Sequence, residues 1–321
     1  MPRILAVAPN WIGDALMAQP LFSRLRQRTP ELTLDVLAPE WVAPVARRMA
    51  EVDEVIVGPF RHGALDLRAR WRLARELRAR GYDQAIVLPN TWKSALVPFF
   101  AGIPARAGYI GESRYLLLTE LYRKDPAASM ALHYARLAEP PASVCDEPLS
   151  NPHLTVTAQE VESVKRRHGI QGRYIVFCPG AEYGPAKRWP YFAALSERLQ
   201  GETVILGSAN DREAAHDILG RNLVGKTSLD EAIALIAGAD YVVSNDSGLM
   251  HVAAALGRPQ IALFGSSSPK HTPPLSPSAR VLWLGIECSP CFQRVCPLGH
   301  FRCMREMPVE RVLKEIQNLA A

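Results

Sequence analysis

Short apolar runs of strand length alternate along this chain with amphipathic stretches of helical spacing. That alternation predicts α/β layering around parallel sheets. In the first half it predicts strands at 3–8, 32–37, 54–57 and 84–88, another near 106–111, and helices over 15–28, 40–50 and 65–80. The alternation restarts in the second half. Strands are predicted at 174–178, 203–207, 223–224, 241–243 and 260–264, with helices over 157–168, 190–200, 211–219, 228–237, 249–256 and 308–319. Ser228 and Glu231 have the spacing of a capping box. Between the two series, Pro140, Pro141, Pro148 and Pro152 interrupt helix and strand alike and mark a linker.

Length agrees with this division. The 321 residues suit two domains at the usual ~100–200 residues each, and the expected units are 1–150 and 151–321. Two such units imply a cleft between them. Ligands of open α/β sheets bind at the carboxyl ends of strands, which selects the loops 9–14, 179–188 and 244–251.

Composition narrows the function classes. With 48% hydrophobic and 21% charged residues the chain is neither disordered nor collagen-like. The net charge of +5 is shared between the halves, 19 Lys+Arg against 16 Asp+Glu in the first and 18 against 16 in the second. That balance disfavours a nucleic-acid partner. No run approaches the ~18–20 apolar residues of a membrane span. Ile4–Ala8 is too short for a signal-peptide core, so a cytoplasmic location is expected, with the six cysteines reduced.

Three loops and one cysteine cluster carry candidate chemistry. Loop 244–251 places Ser247 and Gly248 where the free N–H groups of a helix point outward, with His251 on the first turn. It suits an anion, or it is plain helix capping by Asp246 or Ser247. Loop 179–188 combines two glycines, a proline, Lys187 and Arg188. Cations are awkward at a helix start but suit a diphosphate. In Pro9–Asp14, Gly13 permits a turn, and Asp14 reads more readily as a helix N-cap than as a general base. Seven arginines in 61–80 read as a solvated face, or as a contact for an anionic surface. Cys288, Cys291, Cys296 and Cys303 could close a structural zinc site or stand as free thiols.

Taken together these loops resemble the ADP-heptose:lipopolysaccharide heptosyltransferases. The resemblance rests on Asn10-Trp11-Ile12-Gly13-Asp14, on Pro179 through Pro190 with Tyr183, Lys187 and Arg188, and on Asn245 through Gly257. It extends over essentially the whole chain and is greatest for the branch that adds the second heptose of the inner core. It implies the GT-B fold, two Rossmann-like α/β/α domains facing a central cleft. The first domain would hold the acceptor and the second the ADP-sugar. The implied reaction is inverting transfer of L-glycero-D-manno-heptose from ADP-heptose to heptosyl-Kdo2-lipid A.

By the family pattern Asp14 is the general base, with Asn10, Trp11 and Gly13 on the acceptor side. Lys187, Arg188, Ser247, Gly248, Leu249 and His251 would hold the diphosphate. Asp246 and Tyr183 would meet the sugar, and Thr227 lies near the expected adenine contacts. No cofactor is implied for catalysis. The lipid-borne acceptor implies work at the inner face of the cytoplasmic membrane of a Gram-negative cell, with the Arg-rich 61–80 face as the candidate contact. The alternatives are a relative with another heptose acceptor or nucleotide sugar, and a nucleotide-binding protein without activity.

Overall fold

The apolar run near the start of the chain becomes the middle of a sheet. In this computed structural model, which describes residues 1–60, 64–143, 145 and 148–320, β1 (Arg3–Val7) pairs in parallel with β2 (Thr33–Pro39) and β4 (Gln84–Val87). With β3 (Glu54–Gly58), β5 (Ala105–Tyr109) and β6 (Glu120–Tyr122) the order is β3-β2-β1-β4-β5-β6, parallel throughout. The chain separates into two units, Met1–Asn151 and Pro152–Ala321. The second carries β7 (Tyr174–Cys178), β8 (Glu202–Ile205), β9 (Arg221–Asn222), β10 (Val242–Asn245), β11 (Gln260–Phe264) and β12 (Ala279–Trp283). Its order is β12-β11-β10-β7-β8-β9. Counted from its own first strand, that repeats the first sheet, the doubly wound Rossmann pattern. Each sheet reverses its strand order once, between β1 and β4 in the first and between β7 and β10 in the second.

Burial explains why the central strands form. Every residue of β7 and β11 is buried, as parallel strands covered on both faces require. Leu5, Val87, Leu73 and Leu77 lie in the core of the first unit. Phe177, Trp189, Phe192, Met304 and Val312 lie in that of the second. Among the described residues no helix is long and apolar enough to cross a membrane.

Several expected helices are shorter or divided. The predicted helix 15–28 is two, Ile12–Met17 and Gln19–Arg28. Pro20 has no N–H and crowds the carbonyl four residues back, so the chain restarts there with proline in a first-turn position. Residues 40–50 hold only Ala43–Ala46, and 190–200 only Phe192–Ser196. The expected helix 211–219 is replaced by two single 3-10 turns, 209–211 and 213–215. Asp211 Oδ2 accepts from the Ser208 N–H at 2.9 Å and from Ser208 Oγ at 2.8 Å, closing a tight turn in place of a helix. By contrast the Ser228 capping box forms as spaced, opening helix Leu229–Ala237.

The seven arginines of 61–80 do not share one face. Arg61 lies outside the described residues. Arg70 is buried, donating to the carbonyls of Leu65 (2.6 Å) and Lys93 (3.0 Å). Arg80 donates to both carboxylate oxygens of Glu54. Arg68, Arg72, Arg75 and Arg78 line the exposed side of helix Leu67–Arg78 beside exposed Trp71.

Candidate active site

In the second unit the strand-order reversal brings two loops together. Asn245, the last residue of β10, donates from Nδ2 to the Pro179 carbonyl at 2.7 Å and accepts from the Trp189 N–H at 3.0 Å. One amide side chain thus fixes both ends of loop 179–189. Trp189 is anchored in turn, its indole donating to the Met307 carbonyl at 2.9 Å. The loop returns Lys187 to Asp246, where Nζ donates to Oδ2 at 2.5 Å. Ser267 Oγ donates to the same oxygen at 2.5 Å. Asp246 is 4% exposed and Lys187 15%, so the pair is shielded from water yet reachable.

Asp246 is therefore engaged with Lys187 and does not cap the helix that follows. Ser247 occupies the N-cap position of helix Gly248–Ala255 but makes no side-chain capping bond. The first-turn N–H groups, beside half-buried Ser247, Gly248 and Leu249, keep the orientation that suits an anion. His251 is buried behind them. Burial pushes its imidazole down to about 4, with Lys187 adding to the shift and Asp246 opposing it. At neutral pH it is uncharged, so the positive charge here comes from lysine and the helix end.

Tyr183 sits beside this centre. Lys187 Nζ lies 4.9 Å from the centroid of its ring, and its hydroxyl donates to the Phe292 carbonyl at 2.6 Å. Gly184 has φ 146°, and a Cβ there would stand 2.4 Å from the Arg294 carbonyl oxygen, so only glycine fits the close approach of these loops. Arg188 does not join Lys187. Its guanidinium turns to Asp211 at 3.6 Å. Thr227 is half-buried immediately before the N-cap of helix Leu229–Ala237.

The first unit has its own hollow at the matching position. It is a shallow hollow open to solvent, lined at the ends of β1, β2, β3 and β4 by residues that include Asn10, Trp41, Phe60, Arg70, Lys93 and Ser94. The Trp41 indole donates to the Asn10 carbonyl at 2.8 Å. Fully buried Arg114 braces the wall after β4, donating to Tyr109 O (2.7 Å), to Asn90 Oδ1 (3.3 Å) and to Pro89 O. Asp14 is not the N-cap. That position belongs to exposed Trp11, and half-buried Asp14 stands in the first turn of Ile12–Met17 beside buried Gly13. A first-turn position suits a carboxylate. Its charge is felt at Tyr134, whose phenol is held far above its usual range, first by burial and then by Asp14.

Of the two readings of the cysteine cluster, the zinc site finds no support. Among the described residues no group of three or more His, Cys, Asp or Glu side chains is arranged to hold a metal ion. Cys303 is drawn into the apolar core, and Cys296 Sγ accepts from the Phe301 N–H at 3.4 Å.

Ser267 and Arg294, which the structure brings near Asp246 and Tyr183, are not singled out by the sequence reading, and Arg70 enters it only as one of the arginines of 61–80. Ser267 follows β11 in the run Gly265-Ser266-Ser267-Ser268, and small hydroxyl residues directly after a buried strand are a legible signal. Arg294 is the one Lys or Arg in 281–301, a signal masked by the cysteines around it.

Two parallel doubly wound units of the same strand order are the architecture of the GT-B glycosyltransferases. Residues 70–302 match the model of glycosyltransferase family 9 (heptosyltransferase), and the chain belongs to that family. It is 43% identical to lipopolysaccharide heptosyltransferase 2 of Escherichia coli K12, covering 99% of this chain and 98% of that one. It is 45% identical to lipooligosaccharide heptosyltransferase 2 of Haemophilus influenzae over 88% of each. The solved structure of E. coli ADP-heptose LPS heptosyltransferase II superposes with a TM-score of 0.88 at 41% identity, covering 99% of this chain and 98% of that one.

Proposed function

We propose that this enzyme transfers L-glycero-D-manno-heptose from ADP-heptose to heptosyl-Kdo2-lipid A, adding the second heptose of the lipopolysaccharide inner core with inversion. The observation that carries this reading is the Lys187–Asp246 pair at the opening of helix Gly248–Ala255, in a chain 43% identical over its full length to a heptosyltransferase 2. The second unit binds the donor. Lys187 and the helix N–H groups hold its diphosphate and stabilise the charge that builds as the sugar leaves. Asp246 orients Lys187 and accepts hydrogen bonds from sugar hydroxyls. The first unit binds the acceptor in its hollow. Asp14 takes the proton of the attacking hydroxyl as that oxygen bonds to the anomeric carbon and the bond from this carbon to the β-phosphate oxygen breaks, its electron pair staying on the oxygen that leaves with ADP.

The purified enzyme, given ADP-heptose and truncated lipopolysaccharides of defined length, is expected to extend the acceptor that carries one heptose. Mass spectrometry of the products reads the result. Transfer only to a two-heptose acceptor would assign the enzyme to a later step, and no transfer to either would overturn the reading.

The acceptor carries a lipid, and the exposed side of helix Leu67–Arg78 suits the surface that holds it. Arg75 lies 4.9 Å from the Trp71 ring centroid, beside Arg68 and Arg72. An interfacial aromatic among cations fits an anionic bilayer at the cytoplasmic face, each cation near the surface contributing about 1 kcal/mol. In flotation assays the enzyme is expected to rise with vesicles rich in anionic lipid and not with phosphatidylcholine vesicles. Charge reversal at Arg68, Arg72 and Arg75 should abolish this, and equal flotation of the reversed variant would remove the helix from the contact.

A further inference from the structure

The cysteine-rich segment, for which the site gave no role, is stitched to both donor-side loops. Ala186 N–H donates to the Arg294 carbonyl at 3.1 Å, and the Tyr183 hydroxyl donates to the Phe292 carbonyl at 2.6 Å. On the other side, Phe292 N–H donates to the Ser266 carbonyl at 2.7 Å, and Ser289 Oγ donates to the Gly265 carbonyl at 2.6 Å. The segment therefore joins loop 179–187 to the loop after β11 that supplies Ser267. Its close approach at Gly184 is the one that excludes any other residue there.

This stitching sets one side chain in a particular place. The Arg294 guanidinium lies 5.2 Å from the centroid of the Tyr183 ring, the ring that Lys187 approaches at 4.9 Å. Arg294 is exposed and has no carboxylate partner among the described residues. Lys187 has one carboxylate, Asp246. Two cations thus converge on one aromatic ring with a single carboxylate between them. The ring face favours each cation, and with Lys187 paired to Asp246 the excess is the one positive charge of Arg294. An anion with two adjacent charged groups could engage both cations, one group at each.

We infer that Arg294 is a further donor-binding residue, engaging the diphosphate of the nucleotide sugar together with Lys187 across Tyr183. The cysteine-rich segment is then a wall of the donor site, with Cys291 and Cys296 bounding the stretch that presents Arg294. This inference rests on the reading of the Lys187 site as the donor site. Arg294 carries the planar fork that pairs with phosphate oxygens, and Lys187 supplies the point charge.

Calorimetric titration of the full-length enzyme with ADP tests it, using wild type, Arg294→Ala, Arg294→Lys and Lys187→Ala. Arg294→Ala is expected to weaken ADP binding roughly tenfold, the scale of one charge-assisted hydrogen bond. Arg294→Lys keeps the charge without the fork and should bind ADP no more tightly than wild type and no more weakly than Arg294→Ala, and the unliganded unfolding midpoint should not move in either. Wild-type affinity in Arg294→Ala overturns the assignment. So does a loss of ADP affinity in Arg294→Ala that is matched by an equal loss of acceptor affinity, which would mean that Arg294 acts through the fold and not on the nucleotide. If ADP fails to bind the wild type, or Lys187→Ala binds it unchanged, the donor-site reading itself falls.

Discussion

Replacing Asp14 by alanine is expected to lower the transfer rate by roughly 10²–10⁴-fold, the usual contribution of a positioned general base. That corresponds to about 3–5 kcal/mol of activation free energy. ADP affinity should stay at its wild-type value, because the groups assigned to the diphosphate stand on the other sheet. Asp14→Asn should behave as the alanine variant does, since an amide keeps the shape and loses the ability to take a proton. The measurement is single-turnover transfer under saturating donor, with ADP binding recorded on the same preparation. Undiminished turnover in either variant removes Asp14 from the chemistry. Asp14 stands in the first turn of a short helix whose N-cap is Trp11, and the unfolding midpoint of each variant, recorded alongside turnover, separates a loss of chemistry from a loss of fold.

The second large effect is expected at Lys187. Lys187→Ala should weaken ADP-heptose binding by about 10–100-fold, the scale of a hydrogen bond to a charged group. Acceptor affinity should not change. It should also destabilise the fold, because Asp246, 4% exposed, keeps Ser267 and loses its cation. Breaking a buried pair from one side costs about 3–5 kcal/mol in well-shielded cases, and the partial exposure of Lys187 puts this pair below that range. Adding Asp246→Asn to Lys187→Ala should restore much of the stability and none of the donor affinity. If the double variant regains donor binding, Lys187 acts through the fold and not through the phosphates. Thermal unfolding and calorimetric titration together separate these outcomes.

How much of this was legible depended on where the determining interaction lay. The runs at 174–178 and 260–264 agree with β7 and β11 to the residue, because a strand buried on both faces is apolar throughout. β12 was not read. It is an edge strand, Ala-Arg-Val-Leu-Trp, with Arg280 and Val281 exposed, and its pattern differs little from a loop. The residues 211–219 have helical composition, but the Asp211 side chain folds back on Ser208 and competes with the backbone, a contest that composition does not reveal. In the site, Lys187 and Asp246 were each singled out from their own loops. Their ion pair joins residues 59 apart in sequence and needs the β7–β10 pairing to exist. Arg188 has the same local signature as its neighbour, yet its guanidinium turns to Asp211. The arginines of 61–80 divided in the same way, Arg70 going inward because a hollow and the Phe60 ring, 4.1 Å away, receive it.

The repeated strand order has a consequence for how such an enzyme diversifies. Each sheet presents its loops at its own carboxyl edge, and no residue of the Lys187 centre is drawn from the frame that carries Trp41, Phe60 and Lys93. The hydrogen bonds that hold Lys187, Asp246, Ser267 and Asn245 lie within the second unit, so loop substitutions after β2 and β3 replace none of their partners. On the proposed division of labour, preference for the receiving sugar can drift through lineages while the nucleotide-sugar end is held constant. Grafting the loops after β2 and β3 from a relative with a different acceptor is the corresponding engineering route, and it leaves the Asn245 anchor of loop 179–189 intact.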